Sequence, residues 1–493
     1  MGKDFETTIL DVLATADATH VPYATVQFDS WWYLQDHNVS APLPAPLLLW
    51  EPRADVFPSS MTPWVGRPLV LHNRMFSPHS AYHAMGFEFI NEPGAYLALP
   101  VDKNMFTYIM AKAKAWGMVM YEQDWLSVTF TELNTTQSNF TSAATWLNAL
   151  GGAASDLNLT VQLCMALASM ALHSTTLPAV TNARASGDYH PSSFLPPAYT
   201  ENWQIGLTSL LLDAIGLQPS KDTLWSGEVQ PGSHFDPNTE PNTFIHAISA
   251  VLSTGPVGFS DGVGFANTAL IARTCRADGL LLRPDAPAAH LDAALVATLG
   301  VGGTAAVPYV VAAPVTLGGF TWTLLLAAEL AAPFSVGLEE DLAPQPAGAT
   351  AGAIVVDWFA PSAATAVPAG GAIALAPGQG CPAPACGATA VAFRYLLVAP
   401  LLADGWAYLG EAAKLAPVSQ FRTGAFARAP AGGFTALLTG AAGDGNVTVA
   451  ARAPSGDRVF AQCDVASSGA AHLTCGGALG NACACAASQQ AAV

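Results

Sequence analysis

Charge is scarce in this chain, and positive charge most of all. Charged side chains make up 11% of the 493 residues, with 18 Lys and Arg against 36 Asp and Glu, for a formal net charge of −18. That balance argues against nucleic acid as a partner, because neutralising phosphates takes clustered Lys and Arg. It argues equally against an anionic membrane surface. A neutral or cationic partner is compatible, and acidity also aids solubility. No apolar run of about 18 residues stands clear of polar ones, so no membrane span is read. Gly-x-Gly-x-x-Gly and the P-loop are both missing after the first expected strand, which removes the usual nucleotide-binding signals. Gly-x-Ser-x-Gly is missing as well, so a serine hydrolase would have no nucleophile elbow. No histidine stands at zinc-finger spacing from the cysteines, and no metal is expected. The N-terminal Met1-Gly-Lys-Asp-Phe-Glu6 leads directly into a helical pattern and is not a signal peptide.

What is present is apolar. Hydrophobic residues reach 51%, enough for a large core. The length suits one barrel of about 250 residues with an appended domain. Asn-x-Ser/Thr triplets begin at Asn38, Asn134, Asn139, Asn158 and Asn446. With Cys381, Cys386, Cys463, Cys475, Cys483 and Cys485 crowding the C-terminal quarter, they favour a secreted or vacuolar route and disulfide formation. Cys164 and Cys275 lie in apolar settings and read as buried thiols.

Through the first part of the chain, short apolar runs end in polar clusters and alternate with helical periodicity. Helices are expected over 5–17, 103–116, 141–150, 202–215, 242–252 and 268–275, the third closing at Gly151-Gly152. Strands are expected over 23–28, 69–72, 118–121, 159–164, 182–186, 222–225 and 255–259. Strand then helix, repeated at these lengths, argues for βαβ units and a parallel sheet. The expectation is a (β/α)8-type TIM barrel over residues 1–285, with seven strands counted and the first placed upstream of Met1. Past residue 279, Val/Leu/Ala runs alternate with Gly/Pro turns, which predicts an all-β sandwich over residues 286–493. Ala/Gly/Pro-rich loops interrupt it.

One stretch concentrates the chemistry. Arg184-Ala-Ser-Gly-Asp188 resembles the Arg-x-x-x-Asp motif of the α-galactosidase clan of glycoside hydrolases. The wider match is nearest to the raffinose synthase and alkaline α-galactosidase branch. It runs through Gln162-Leu-Cys-Met165, Arg184 to Tyr189, Phe259-Ser-Asp261 and Leu270 to Arg283, in order. The resemblance implies a retaining glycoside hydrolase acting on α-galactosides or related α-linked glycans, with Asp188 as the acid/base. Such chemistry needs two carboxyl groups, one attacking the anomeric carbon and one shuttling the proton. No cofactor or metal is implied, since the pair suffices. Met118-Val-Met-Tyr-Glu-Gln-Asp-Trp125 offers Glu122 and Asp124 as the nucleophile, on one face by period-two alternation. The clan's Lys-x-Asp pattern, laid strictly, selects Glu122. The residue type selects Asp124, which is favoured. The lysine of that pattern is not here.

Candidate sugar contacts follow from the same strand ends. Asp29 suits hydroxyl recognition, since a carboxylate accepts two or more O–H bonds. Trp31 or Trp32 could stack on a pyranose face, or pack in the core. His72 and Arg74 end one strand. Arg184 binds a hydroxyl or orients Asp188. Asp222, Trp225 and Asp261 end the last two strands, where core packing or turn roles compete. The partner expected is an oligosaccharide or glycoside. A transglycosidase like the raffinose synthases, or a carbohydrate-binding barrel that has lost turnover, are the alternatives.

Overall fold

The computed structural model describes residues 4–39, 44–61, 68–139, 141–194, 202–299, 308–378, 380–381, 386 and 390–487. It divides into two compact units. The first holds Met1–Ala18, Tyr23–Ala185 and Leu211–Pro219, and the second holds Thr19–Pro22, Ser186–Leu210 and Ser220–Val493.

The first unit is built on a six-stranded sheet in the order Val26–Phe28, Leu69–Asn73, Met118–Gln123, Thr160–Leu163, Val180–Arg184, Gln218–Ser220. The first five pair in parallel, with Phe28 opposite Leu71, Leu71 opposite Tyr121, Tyr121 opposite Val161 and Gln162 opposite Asn182. All five residues of Leu69–Asn73 are buried. Its apolar start, Leu69-Val-Leu71, suits a strand buried on both faces, and His72 and Asn73 are its polar end.

The helix Lys103–Ala115 begins where the Asp102 side chain accepts from the Asn104 N–H and ends with Lys112 and Lys114 in its last turn. Both ends complement the helix dipole. Its buried Met105, Phe106, Ile109, Met110 and Ala113 form one stripe. The helix Ser142–Asp156 runs straight through Gly151-Gly152 instead of stopping there. The reason is packing. A Cβ on Gly151 would stand 3.1 Å from two carbons of the Leu177 side chain, so glycine lets the neighbours close in. Helical hydrogen bonding continued by the flanking alanines outweighs the glycine penalty of about 1 kcal/mol per residue.

In the second unit the helix Thr243–Leu252 is buried from Ile245 onward. The described residues past 308 carry strands and short 3-10 turns. A six-stranded sheet runs Ala289–His290, Tyr309–Leu317, Phe320–Ala328, Phe393–Leu402, Thr350–Asp357, Thr365–Pro368. All of its neighbours pair antiparallel. Phe320–Ala328 is buried at every position, as a central strand must be. The hairpin before it turns on Gly318 and Gly319, both at positive φ (56° and 84°), the two-residue turn whose twist matches the strands. A four-stranded sheet joins Thr423–Arg428, Phe434–Thr439, Ala470–Cys475 and Cys483–Ala487. Disulfides link Cys381 to Cys386, Cys463 to Cys485 and Cys475 to Cys483, while Cys164 and Cys275 are free and buried.

The expected barrel is met in part among the described residues. The described residues form an open six-stranded sheet, with Val26–Phe28 at one edge. The expected strands at 222–225 and 255–259 shrink to one parallel bridge, Leu224 to Phe259. Pro256, next to Gly255, has no N–H to give a ladder, which limits the pairing there. No helix among the described residues is long and apolar enough to cross a membrane.

Candidate functional site

Parallel strands put their polar C-terminal residues along one edge of the sheet, and in the first unit five of the expected site residues gather there. His72 on Leu69–Asn73 stands opposite Glu122 on Met118–Gln123. Asp124 follows directly, its N–H donating to the Asn73 carbonyl at 2.9 Å. His72 Nε2 lies 3.2 Å from Asp124 Oδ2 and 3.8 Å from Asp29 Oδ1. Its Nδ1 lies 2.9 Å from the Tyr33 hydroxyl, which also accepts from Arg74 Nε at 3.0 Å.

The two nucleophile candidates differ in environment. Burial pushes the Asp124 carboxyl up. The His72 hydrogen bond and charge, the Cys164 thiol and the Trp125 N–H outweigh it and hold the pKa at about 2. Its side chain keeps 14% exposure, so it is ionised and reachable. Glu122 is buried and its pKa is driven to about 7, chiefly by desolvation, with His72 opposing and Asp124 and Asp29 adding to the rise. Both of its oxygens are engaged: Gln27 Nε2 donates to Oε2 at 2.6 Å and Gln162 Nε2 to Oε1 at 3.1 Å. Asn182 Nδ2 in turn donates to Gln162 Oε1 at 2.9 Å, so the row joins side chains from four strands. Glu122 is thereby a buried member of a hydrogen-bonded row, and Asp124 is the carboxylate at the rim.

The backbone bends sharply just beyond these strands. Trp125 and Met165 both adopt positive φ, 57° and 50°. Neither is glycine, and such positions cost about 1–3 kcal/mol and gather at functional sites. The Asp124 carboxylate accepts the Trp125 N–H at 2.6 Å, which fixes this turn.

The other expected contacts divide by what their atoms already hold. Asp29 has a side chain 70% exposed, fit for an external hydroxyl. Arg74 is buried, gives Nη1 to the Ala45 carbonyl at 3.0 Å and lies over the Tyr33 and Trp125 rings; it braces the rim instead of reaching a sugar. Trp32 is fully buried, edge-on to Tyr33 and Trp116 and tilted against Trp50, so the expectation that it stacks on a sugar is corrected: no ring face is open. Trp31 is half-buried, stacked on Phe5 and tilted against Phe57. Arg184 is half-buried and acts electrostatically on Glu122 and Cys164.

The remaining residues belong to the second unit, whose boundary falls between Ala185 and Ser186. Asp188 is exposed, and its carbonyl accepts from Asn202 Nδ2 at 3.1 Å. Asp222 takes the Tyr189 N–H at 2.6 Å and gives its own N–H to Ser186 Oγ at 2.9 Å, tying down both sides of Asp188. Trp225 is buried against Tyr189 and Phe235 and is corrected from a sugar contact to core. Asp261 accepts from the Ser226 N–H and Oγ, the Gly227 N–H and Gln230 Nε2 at 2.6–3.1 Å. Four donors fill a carboxylate's acceptor sites, so Asp261 clasps the 226–230 loop. Buried Glu240 holds His246, Tyr189 and Ser192 together.

Tyr33, Gln27, Gln162 and Cys164 escaped the sequence reading as site residues. Two of them sat in the quoted Gln162-Leu-Cys-Met165 run, and Gln27 stands two residues before Asp29, on the face that alternation assigns. No group of three or more His, Cys, Asp or Glu among the described residues is arranged to hold a metal ion.

No family model matches the chain, and no curated protein does. Among solved structures it is similar to a provisionally assigned α-N-acetylgalactosaminidase from Bacillus halodurans, with TM-score 0.44 and 12% identity over 80% of this chain and 93% of the other. It is similar to a Thermus thermophilus α-galactosidase, solved with stachyose, with TM-score 0.36 and 14% identity over 55% of this chain and 61% of that one. A third likeness is the galactosidase domain of an α-galactosidase–sucrose kinase, with TM-score 0.40 and 8% identity over 81% of this chain and 52% of that one. These values leave the chemistry to be argued from this chain's own residues.

Proposed function

We propose that the chain is a retaining glycoside hydrolase acting on α-galactosides or related α-linked glycans, with Asp124 as nucleophile and Asp188 as general acid/base. The observation that carries this is Asp124, an ionised and partly exposed carboxylate just past the end of a parallel strand. In the proposed reaction one Asp124 oxygen attacks the anomeric carbon as Asp188 gives its proton to the leaving oxygen. Asp188 then takes a proton from water, which displaces Asp124. The assignment of Asp188 comes from the Arg184-to-Asp188 resemblance together with its solvent access. Asp29 is proposed to take a sugar hydroxyl. We propose residues 1–285 as the catalytic domain, residues 286–493 as an accessory β domain, and a secreted or vacuolar site of action on the strength of the sequons and disulfides.

A second reading, a carbohydrate-binding protein without turnover, is favoured by one observation: neither Glu122 nor Asp124 has the lysine that the resembled pattern carries two residues before its nucleophile. Asp124→Ala separates the two. A nitrophenyl α-galactoside is expected to be hydrolysed by the wild type and not by the variant. Azide, entering the vacated space, restores part of the activity with inverted product. If Glu122→Ala is dead and rescued while Asp124→Ala stays active, the nucleophile is Glu122. If neither variant changes activity, the mechanism is wrong. A wild type inert toward all α- and β-nitrophenyl glycosides that still binds oligosaccharides would establish the binding reading.

A further inference from the structure

We propose that His72 is the positioning residue of the nucleophile, its Nε2–H holding Asp124, with Tyr33 and Arg74 fixing the imidazole ring. This rests on the reading of Asp124 as nucleophile. The geometry comes from three adjacent segments. His72 and Glu122 are register partners on neighbouring parallel strands. Asp124, two residues further, lies over the imidazole edge, with Nε2 to Oδ2 at 3.2 Å. On the ring's far side the Tyr33 hydroxyl sits 2.9 Å from Nδ1 and accepts from Arg74 Nε at 3.0 Å.

The proton positions follow from this chain of contacts. A phenol oxygen has two acceptor sites and one proton. Neutral His72 accepts that proton at Nδ1, which leaves the hydrogen on Nε2. Charged His72 donates to Tyr33 from Nδ1 and still carries a hydrogen on Nε2. Both states point an N–H at Asp124. The remaining tautomer would set a lone pair against a carboxylate.

The groups around the ring favour the charged state. Burial opposes the charge, and the Asp124 hydrogen bond with the negative charges of Asp29, Glu122 and Asp124 favours it. Burial is outweighed, and the His72 pKa lies above its ordinary value. A cation here does two jobs. It fixes the Oδ2 side of the carboxylate, while the Trp125 N–H holds the other oxygen. It also makes Asp124 less basic, so the carboxylate departs more readily when water displaces it.

The test uses the full chain with 13C-carboxyl-labelled aspartate. The Asp124 titration midpoint is read in the wild type and in His72→Gln, and the acid limb of kcat/KM on a nitrophenyl α-galactoside is read alongside. His72→Gln is expected to raise the midpoint by about one pH unit or more, the size typical of losing an opposite charge at contact distance. Tyr33→Phe moves it the same way by less. The acid limb follows the midpoint. An unmoved midpoint overturns the proposal. A moved midpoint with an unmoved limb, or with turnover in Asp124→Ala, keeps the pairing and rejects Asp124 as nucleophile. Should His72→Gln fail to fold, the wild-type imidazole 15N signals decide: Nε2 protonated from pH 5 to 8 supports the pairing, and Nε2 unprotonated within that range overturns it.

Discussion

Glu122→Gln removes a charge that the folded chain resists. In the native state the Glu122 pKa is about 7 against an ordinary 4.5, because burial outweighs the help from His72. At about 1.4 kcal/mol per unit, ionising it in place costs about 3 kcal/mol. Between pH 4.5 and 7 the unfolded chain has lost this proton while the folded chain keeps it. Stability from this group is therefore full below pH 4.5, falls as pH rises, and is gone above about pH 7. Glutamine keeps the shape and one acceptor. It loses the bond from one donating amide, and Gln27 at the sheet edge can turn its own oxygen inward where Gln162, held by Asn182, cannot. The difference in unfolding free energy, variant minus wild type, should then climb by about 3 kcal/mol from pH 4.5 to pH 8.5. Urea unfolding at five pH values, followed by tryptophan fluorescence, reads it. A difference that stays flat across this range would refute the raised pKa and with it the contrast between Glu122 and Asp124.

Asp188→Asn should depress kcat strongly on natural oligosaccharides and less on nitrophenyl glycosides, since a nitrophenolate leaves without protonation; equal losses on both argue against an acid role. Trp32→Ala should cost about 3–5 kcal/mol of stability in urea melts, because the ring is fully buried, with little change in KM among molecules that stay folded. Arg422→Ala strips the partner from Glu411 and Asp444, which it meets at 2.8 and 3.0 Å, and should cost about 3–5 kcal/mol. Burial raises the Asp444 pKa, yet the Arg422 hydrogen bond and neighbouring N–H groups hold it at about 2. The wild type should therefore lose that stability as pH falls from about 4 to 2, and Arg422→Ala should show a smaller acid loss.

Periodicity and chemistry in short windows were enough for much of this protein. Leu69–Asn73, Met118–Gln123 and Thr160–Leu163 read as parallel strands because short apolar runs ending in polar clusters alternate with helical stretches. Residues 103–116 read as a helix because Ala and Lys recur at helical spacing and Gly117 follows. The change to strands and glycine turns is written in composition, and placing carboxylates and histidine at strand ends needs only alternation. Packing across the chain decided the rest. Gly151-Gly152 looked like a stop, yet the helix runs on, and the missing Cβ at Gly151 is what lets Leu177 pack close. Trp32 and Trp225 stood at strand ends like sugar platforms, and neighbouring rings closed over both. Glu122 and Asp124 share a face and cannot be ranked from spacing. Only the tertiary structure buried one among amides and set the other against His72, because a carboxylate's charge state depends on desolvation and on neighbours from other strands.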